Sequence, residues 1–187
     1  MAITLKHTRP VTDDELLEFS RQNPGLQFER TADGELVVTP TGSESSRASG
    51  EVFGQLREWN RGRGVVFDSS GGFRLPNNAV YAPDASWIRQ DRWERLTPEE
   101  RRTFAPLCPD AVFEIRSEGN TLAELRDKLR IYLANRAQIA VLVDPSGRGV
   151  EVYRAGRAPE IHANPATVAL DPELPGFVLD LAPVFGQ

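Results

Sequence analysis

The chain has 187 residues, of which 40% are hydrophobic and 26% are charged. This composition is that of an ordinary globular protein, and it excludes a disordered, collagen-like or membrane chain. The formal net charge of −5 excludes a basic field over the whole surface, so any binding of nucleic acid must depend on a local patch or on metal ions. The length is within the usual range for one domain, and we expect a single domain over residues 1–187.

The cysteine and histidine content limits the compartment and the kinds of metal site. Cys108 is the one cysteine, and His7 and His162 are the two histidines, which excludes a disulfide framework and a zinc site made of Cys and His ligands. No window approaches the roughly 20 apolar residues of a membrane span, and the first residues contain no apolar signal segment. We therefore expect a cytoplasmic protein that does not enter a membrane.

The first part of the chain predicts a helix followed by a hairpin. The stretch TDDELLEFSRQNPG begins with Thr12, which can cap a helix, carries acids in its first turn and stops at Pro24-Gly25. LQFER and ELVVTP then flank TADG, whose Asp33-Gly34 pair suits a tight turn with positive φ. We expect this helix and hairpin to precede the main body of the fold.

The next part of the chain predicts a long amphipathic helix and then several strands. In TGSESSRASGEVFGQLREWNRGRG, apolar residues recur at Ala48, Val52, Leu56 and Trp59, and a glycine ends the pattern. The pieces GVVFDSS, GGFRLP and DASWIRQ follow and have the pattern of strands. RLTPEERRTF predicts a short surface helix, because Thr97 can cap it and a glutamate three residues later completes a capping box.

Residues 109–145 have the clearest pattern of the chain, which is strand AVFEIRS, helix TLAELRDKLRIYLANR and strand IAVLVDP. A right-handed crossover of this βαβ kind makes the two strands parallel, and VLVDPSGRGVEVYR adds an antiparallel neighbour through a turn. The tail ATVALDPELPGFVLDLAPVF predicts one short strand and a Pro-rich apolar segment that lies against the body. We therefore expect an α/β (α+β) fold with a central mixed sheet flanked by helices.

Two charged residues in the first strand of this unit suggest a functional site. Because side chains alternate along a strand, Glu114 and Arg116 project to the same side, and an ion pair at a sheet edge is the common structural explanation. YAPDASWIR places Asp84 at the start of another strand, directly after a proline. Two carboxylates from adjacent strand ends can hold one divalent cation. Asp110 lies on the strand of Glu114, roughly 13 Å away, and is more consistent with a turn or with the start of the strand.

A family resemblance rests on several of these residues together. Pro83-Asp84, Glu114-Ile115-Arg116-Ser117, Lys128 in the next helix and the run VLVDP resemble the bacterial putative restriction endonuclease family of the PD-(D/E)XK nuclease superfamily. The resemblance covers roughly residues 10–185. The order of helix, three strands, helix and strand over 43–143 is also the core order of that superfamily, which implies a restriction endonuclease-like core at about 43–154.

The resemblance implies a function and a set of ligands. It implies an endonuclease that hydrolyses DNA phosphodiester bonds, in which Asp84 and Glu114 bind Mg²⁺ or Mn²⁺ and the carbonyl of Ile115 is a further ligand. A water activated by the metal would attack phosphorus, and the metal would neutralise charge on the scissile phosphate. The resemblance also implies a homodimer, because nucleases of this kind often cut two strands with two sites.

The sequence departs from the superfamily pattern at Arg116, where a lysine is usual. Arginine is always protonated, so it can clamp a phosphate but cannot act as a general base. Lys128 is the candidate substitute, because its spacing from Leu125 and Tyr132 places it at the border of the buried face of its helix. The alternative is that Lys128 pairs with Glu124 on a solvated face.

Glu44 is a further candidate catalytic residue, and a second class of function stays open. Glu44 precedes Ala48 by four residues and so points the way the helix packs, and related nucleases often carry an acid on this helix. The alternative is a capping box between Thr41 and Glu44. Arg116 and the acidic net charge give some support to a non-catalytic nucleic-acid-binding or assembly module that keeps the nuclease fold.

Overall fold

The computed structural model describes residues 3–5, 9–40 and 42–186. Over these residues the elements in chain order are β1 (Ile3–Leu5), α1 (Asp13–Gln22), β2 (Leu26–Arg30), β3 (Leu36–Pro40), α2 (Ser43–Asn60), β4 (Gly64–Asp68), β5 (Phe73–Arg74), β6 (Val80–Tyr81), β7 (Ala85–Arg89), α3 (Gln90–Glu94), β8 (Ala111–Ile115), α4 (Leu122–Ala134), β9 (Ile139–Asp144), β10 (Gly149–Arg154), β11 (Glu160–Ala163), β12 (Thr167–Ala169) and β13 (Val178–Asp180). Within the described ranges no helix is long and apolar enough to cross a membrane.

The main sheet has the strand order β11-β10-β9-β8-β7-β4. Strands β8 and β9 are parallel and are joined by α4, while β7 and β10 pair with them in the antiparallel sense. The predicted βαβ unit and the predicted mixed sheet are therefore confirmed. Every residue of β8 and of β9 is buried, as expected of central strands that are covered on both faces.

The N-terminal sheet has the order β1-β3-β2-β6-β5 and contains the predicted hairpin of β2 and β3. Gly34 has a φ of +84° in the hairpin turn, and a Cβ there would lie 2.6 Å from Pro10, so this position requires glycine. The predicted helix α1 begins at a capping box of Thr12 and Glu15. One pairing, Arg30 with Val80, joins β2 to β6 and so brings the hairpin beside the segment that leads to β7.

Two apolar layers cover the faces of the main sheet. On one face α2 packs through Val52 and Leu56, together with the C-terminal segment that carries Leu174 and Leu181. On the other face α4 packs through Leu129 and its neighbours. Fully burying one such side chain contributes about 1.5–3 kcal/mol, so these contacts fix α2 and α4 relative to the strands that carry the acidic residues.

Three details of the chain differ from the sequence-based expectations. Thr97 and Glu100 form both capping-box hydrogen bonds, yet residues 97–104 form turns and not a helix. The reason is that Ala105 pairs with Phe73, which requires extended chain soon after the cap. The five-residue helix α3 lies upstream of that segment. The tail contains two paired strands, β12 and β13, instead of one, and its apolar residues are buried against the body as expected.

Candidate active site

A cavity of about 380 Å³, the central cavity, is lined from both sheets and from α2 and α4. Most of its polar wall consists of hydroxyl and amide side chains. Five carboxylate side chains and one ammonium side chain also line the cavity, and these are Glu29, Asp84, Glu114, Glu124, Asp127 and Lys128. Acidic groups therefore outnumber basic ones on this wall, which gives the cavity a negative potential.

Asp84 lies directly before β7, at the edge where β7 meets β8. The pairing of Ala85 with Phe113 brings its carboxylate beside β8, where Oδ2 accepts a hydrogen bond from the backbone N–H of Ile115 at 2.7 Å. Burial raises the pKa of Asp84 to about 6, although the Ile115 N–H and the nearby Lys128 act in the opposite direction. The backbone bond fixes the carboxylate toward the cavity.

Glu114 lies on β8 and is 4% exposed. Its Oε1 accepts a hydrogen bond from the Tyr132 hydroxyl at 3.0 Å and lies 2.9 Å from Nζ of Lys128. Burial raises the pKa of Glu114, and the carboxylates of Asp84 and Glu29 raise it further, while Lys128 lowers it. The prediction that Asp84 and Glu114 approach each other from adjacent strand ends agrees with these positions.

Lys128 projects from α4 into the central cavity. Its Nζ lies 2.9 Å from Oε1 of Glu114 and 2.9 Å from Oε1 of Glu29. The carboxylate of Glu124, the alternative partner, instead accepts hydrogen bonds from the backbone N–H and the hydroxyl of Thr121 in a capping box at the start of α4. Burial disfavours the charged form of Lys128, but the two carboxylates outweigh this effect and raise its pKa. The two carboxylates therefore favour the charged form of this side chain.

Arg116 does not line the central cavity. The expectation that Arg116 lies beside Glu114 at one site is therefore wrong, although the Arg116 N–H still bonds to the Val143 carbonyl at 2.8 Å and continues the ladder of β8 and β9. The guanidinium pairs with Asp144 at 2.9 Å. Burial favours protonated Asp144, but hydrogen bonds from the Gly147 N–H and from Arg116 outweigh it and lower the pKa. Arg116 lines an adjoining cavity of about 430 Å³, the side groove.

Glu44 also lies at the side groove and not at the central cavity. Its side chain is 75% exposed and pairs with Arg47 at 2.6 Å. Helix α2 has Gly42 as its N-cap, without a side-chain capping bond, and Thr41 lies outside the described residues. The capping box that was the alternative for Glu44 requires Thr41 as N-cap, so the observed helix start does not match it.

Asp110 is a structural residue at the start of β8, as its distance from Glu114 along the strand suggested. Its carboxylate is 2% exposed, pairs with Arg92 at 2.8 Å and accepts hydrogen bonds from the Arg89 N–H and from Gln138. These partners satisfy a buried charge at the end of β8 remote from Ile115 and Asp84. Asp110 has no part in the central cavity.

Glu29 is the residue at the site that the sequence analysis missed. It lies on β2, where its Oε1 accepts a hydrogen bond from the Ala82 N–H at 2.7 Å and contacts Lys128. The only sequence signal is the polar alternation of Gln27, Glu29 and Thr31 along β2. That pattern is typical of a solvent-facing strand surface, and nothing local shows that Lys128 of α4 reaches it.

The oxygen donors of the central cavity have the chemistry that Mg²⁺ prefers. In the described part of the chain no three His, Cys, Asp or Glu side chains are grouped so as to hold a metal ion by themselves. Asp84, Glu114 and Ile115 do line one cavity, and they supply two carboxylates and a backbone carbonyl. Mg²⁺ is usually held by one or two carboxylates, with waters and substrate phosphates as its other ligands. The donor set therefore fits Mg²⁺ or Mn²⁺.

Comparison with known proteins identifies a family to which the chain belongs and a solved structure with a similar fold. The family model Uma2, putative restriction endonuclease, matches residues 13–182. Among solved structures, the chain is similar to a putative nuclease belonging to DUF820 from Anabaena variabilis ATCC 29413, with a TM-score of 0.75 and 20% identity over 94% of this chain and 98% of that chain. At that identity the likeness shows the fold alone. No curated protein matches the sequence.

Proposed function

Because the chain belongs to the Uma2 family of putative restriction endonucleases, we propose that it is a metal-dependent endonuclease that hydrolyses phosphodiester bonds in DNA. The observation that carries this proposal is the meeting of Asp84, Glu114 and Lys128 in one cavity, although they come from three separate elements. Two hard oxygen ligands beside an ammonium suit metal-assisted hydrolysis of a phosphodiester, because the metal and the cation both stabilise phosphate charge.

On this proposal Asp84, Glu114 and the Ile115 carbonyl would hold Mg²⁺ or Mn²⁺. When bound, the ion supplies Lewis-acid stabilisation of phosphate charge and lowers the pKa of a water molecule. The Ile115 N–H orients the Asp84 carboxylate, and the Tyr132 hydroxyl orients that of Glu114. These hydrogen bonds restrict both ligands before the substrate arrives, which lowers the cost of reaching the reactive geometry.

Lys128 would stabilise the charge that develops on the phosphate. An ammonium has three N–H donors, and Glu29 and Glu114 use two of them, so the third is available to a phosphate oxygen in the cavity. Lys128 would thereby replace the lysine that the superfamily pattern has at position 116. Arg116, at the side groove, is a secondary candidate for contacts to the DNA strand beside the scissile phosphate. Glu44 carries a negative charge that phosphates repel and pairs with Arg47, so we propose no contact to DNA for it.

The alternative is a binding or assembly module that retains the fold without cutting DNA. Plasmid and linear DNA incubated with Mg²⁺, Mn²⁺ or EDTA separate the two functions. We expect cleavage with either metal, loss of cleavage in EDTA and loss in Asp84→Asn. DNA binding without cleavage by the wild type in any metal would favour the binding module and contradict the proposed enzyme.

The proposal extends to a cytoplasmic homodimer. A single site cuts one strand, so cutting both strands of a duplex in one encounter requires two copies. The buried free thiol of Cys108 is compatible with a reducing compartment. Sedimentation equilibrium with and without a DNA duplex tests the assembly, and a species of one chain under both conditions would contradict it.

A further inference from the structure

The N-terminal sheet contributes one carboxylate, Glu29, to the central cavity, and the roles proposed above leave it without a task. Glu29 is 8% exposed, and a buried carboxylate is costly unless it is paired and hydrogen-bonded. It has two partners, which are the Ala82 N–H at 2.7 Å and the Lys128 ammonium at 2.9 Å. Both bonds fall on Oε1, so one oxygen connects the backbone of one segment with the side chain of another.

The first partner ties Glu29 to the segment that carries Asp84. Ala82 precedes Pro83, which has no N–H of its own, and Asp84 follows directly. The pairing of Arg30 with Val80 already brings β2 alongside this segment, and the bond from Ala82 to Glu29 continues that contact toward Asp84. The N-terminal hairpin is therefore fixed against the strand end that presents a proposed metal ligand.

The second partner fixes the position of Lys128. Lysine is a point charge on a flexible stem, so contact with a single carboxylate leaves its ammonium free to follow that group. Here Glu29 and Glu114 lie at equal distances of 2.9 Å from Nζ. The Tyr81 ring, 5.4 Å from Nζ, adds a cation–π contact. Glu29 therefore draws the ammonium away from a simple pair with Glu114.

We propose that Glu29 is a positioning residue, which holds the Lys128 ammonium at a fixed point between two carboxylates. The proposal rests on the proposed nuclease function. It assigns the N-terminal hairpin a part in the site, since β2 supplies a side chain that acts on a residue of the βαβ unit.

The position of the Lys128 ammonium can be followed directly by NMR, because Lys6 and Lys128 are the two lysines of the chain. Protein labelled with ¹⁵N-lysine gives at most two side-chain ammonium signals in NMR, and a Lys128→Met variant assigns them. An ammonium held by two carboxylates exchanges its hydrogens slowly. We expect a slow Lys128 signal in the wild type and fast exchange in Glu29→Gln, whose amide oxygen can still accept from Ala82 but carries no charge.

A kinetic cycle tests whether Glu29 acts through Lys128. Glu29→Gln should lower kcat on the order of 10- to 100-fold with a much smaller change in KM, since a misplaced group acts on the reaction step more than on binding. In the Lys128→Met background the same change should have little further effect. An equal fall of kcat in both backgrounds would overturn the proposal, as would a Lys128 exchange rate in Glu29→Gln equal to that of the wild type.

Two further variants control for folding and for loss of a buried charge. Glu29→Asp keeps the charge on a shorter side chain, and we expect exchange and kcat between those of the wild type and Glu29→Gln. If Glu29→Gln does not fold, wild-type exchange in Glu29→Asp overturns the proposal. Glu151→Gln removes another carboxylate of 8% exposure, paired with Arg126 away from the cavity, and should leave the Lys128 signal and kcat unchanged. If the wild type cuts no DNA, the proposed function is wrong, but the NMR exchange measurements still decide whether Glu29 holds Lys128.

Discussion

Replacing Lys128 by methionine removes the positive charge that Glu29 and Glu114 share. The side chain of Lys128 is 18% exposed, and the side chains of Glu29 and Glu114 are 10% and 5% exposed. Solvent therefore screens the three charges poorly. Removing one partner from a buried ion pair costs about 3–5 kcal/mol, because it leaves an uncompensated charge in place. The carboxylates can take up protons in response, which recovers part of that cost. We therefore expect Lys128→Met to lower the free energy of unfolding by about 2–3 kcal/mol.

Urea unfolding in EDTA, followed by circular dichroism, measures this loss. For a chain of this length 1 kcal/mol corresponds to roughly 2–4 °C in Tm, so the variant should melt roughly 5–10 °C below the wild type. Arg126→Met is the matched control, because it removes a cation from the same helix. Arg126 pairs with Glu151, and this ion pair is more exposed to solvent than the pairs of Lys128. The control should cost less than Lys128→Met, because solvent reaches the Arg126 side chain, which is 37% exposed.

A second substitution separates electrostatics from lost packing. Adding Glu114→Gln to Lys128→Met should recover stability, because the amide needs no counter-charge and can still accept the Tyr132 hydrogen bond. Equal stability of Lys128→Met and Arg126→Met would refute the reasoning. A double variant no more stable than Lys128→Met alone would refute the electrostatic explanation in particular.

Three further predictions concern the proposed metal and DNA contacts. Mn²⁺ at a hundred times its Kd should stabilise the wild type by about 2.7 kcal/mol and so raise its Tm, whereas the Tm of Asp84→Asn should not change. If Mn²⁺ raised the Tm of Asp84→Asn as much as that of the wild type, Asp84 would not be a metal ligand. Arg116→Ala should raise KM for DNA and lower kcat less than Lys128→Met does, because the Arg116 guanidinium pairs with Asp144 at the side groove. Steady-state kinetics in which Arg116→Ala is inactive and Lys128→Met is active would contradict this. Glu44→Gln should bind Mn²⁺ with wild-type affinity in calorimetry, because its exposed carboxylate pairs with Arg47, and weaker binding would place Glu44 at the metal.

The elements that the sequence predicted well are those whose pattern is set by local burial. The βαβ unit was predictable because β8 and β9 are continuous apolar runs and α4 has a capping box and an apolar face. Helix α2 was predictable from the spacing of Ala48, Val52 and Leu56. The helix expected at 97–104 was wrong because a cap specifies where a helix can begin, whereas the pairing of Ala105 with Phe73 decides how far it extends. The expectation of one domain with its core at about 43–154 stays a prediction.

The candidate site was predictable where one strand end determines the position of a side chain. Pro83 marks the start of β7, and this places Asp84 beside β8 and Ile115. Glu29 could not be found in this way, because alternation along β2 shows which residues share a face but not which element covers that face. The position of Arg116 was mispredicted for a related reason, since alternation along β8 does not show that Asp144 at the end of β9 is within reach as a partner for its guanidinium.

The charge of the central cavity connects the acidic composition of the chain with the proposed reaction. Five carboxylates and one ammonium line this cavity, which leaves four negative charges when all are ionised. A polyanion is repelled by such a wall, whereas a divalent cation balances its charge. The net charge of −5 is therefore no argument against a nucleic-acid substrate, provided that the attraction is supplied locally. On the proposed function, entry of the scissile phosphate and activation of the water depend on the same bound ion, so removal of the metal should abolish both productive DNA binding and cleavage.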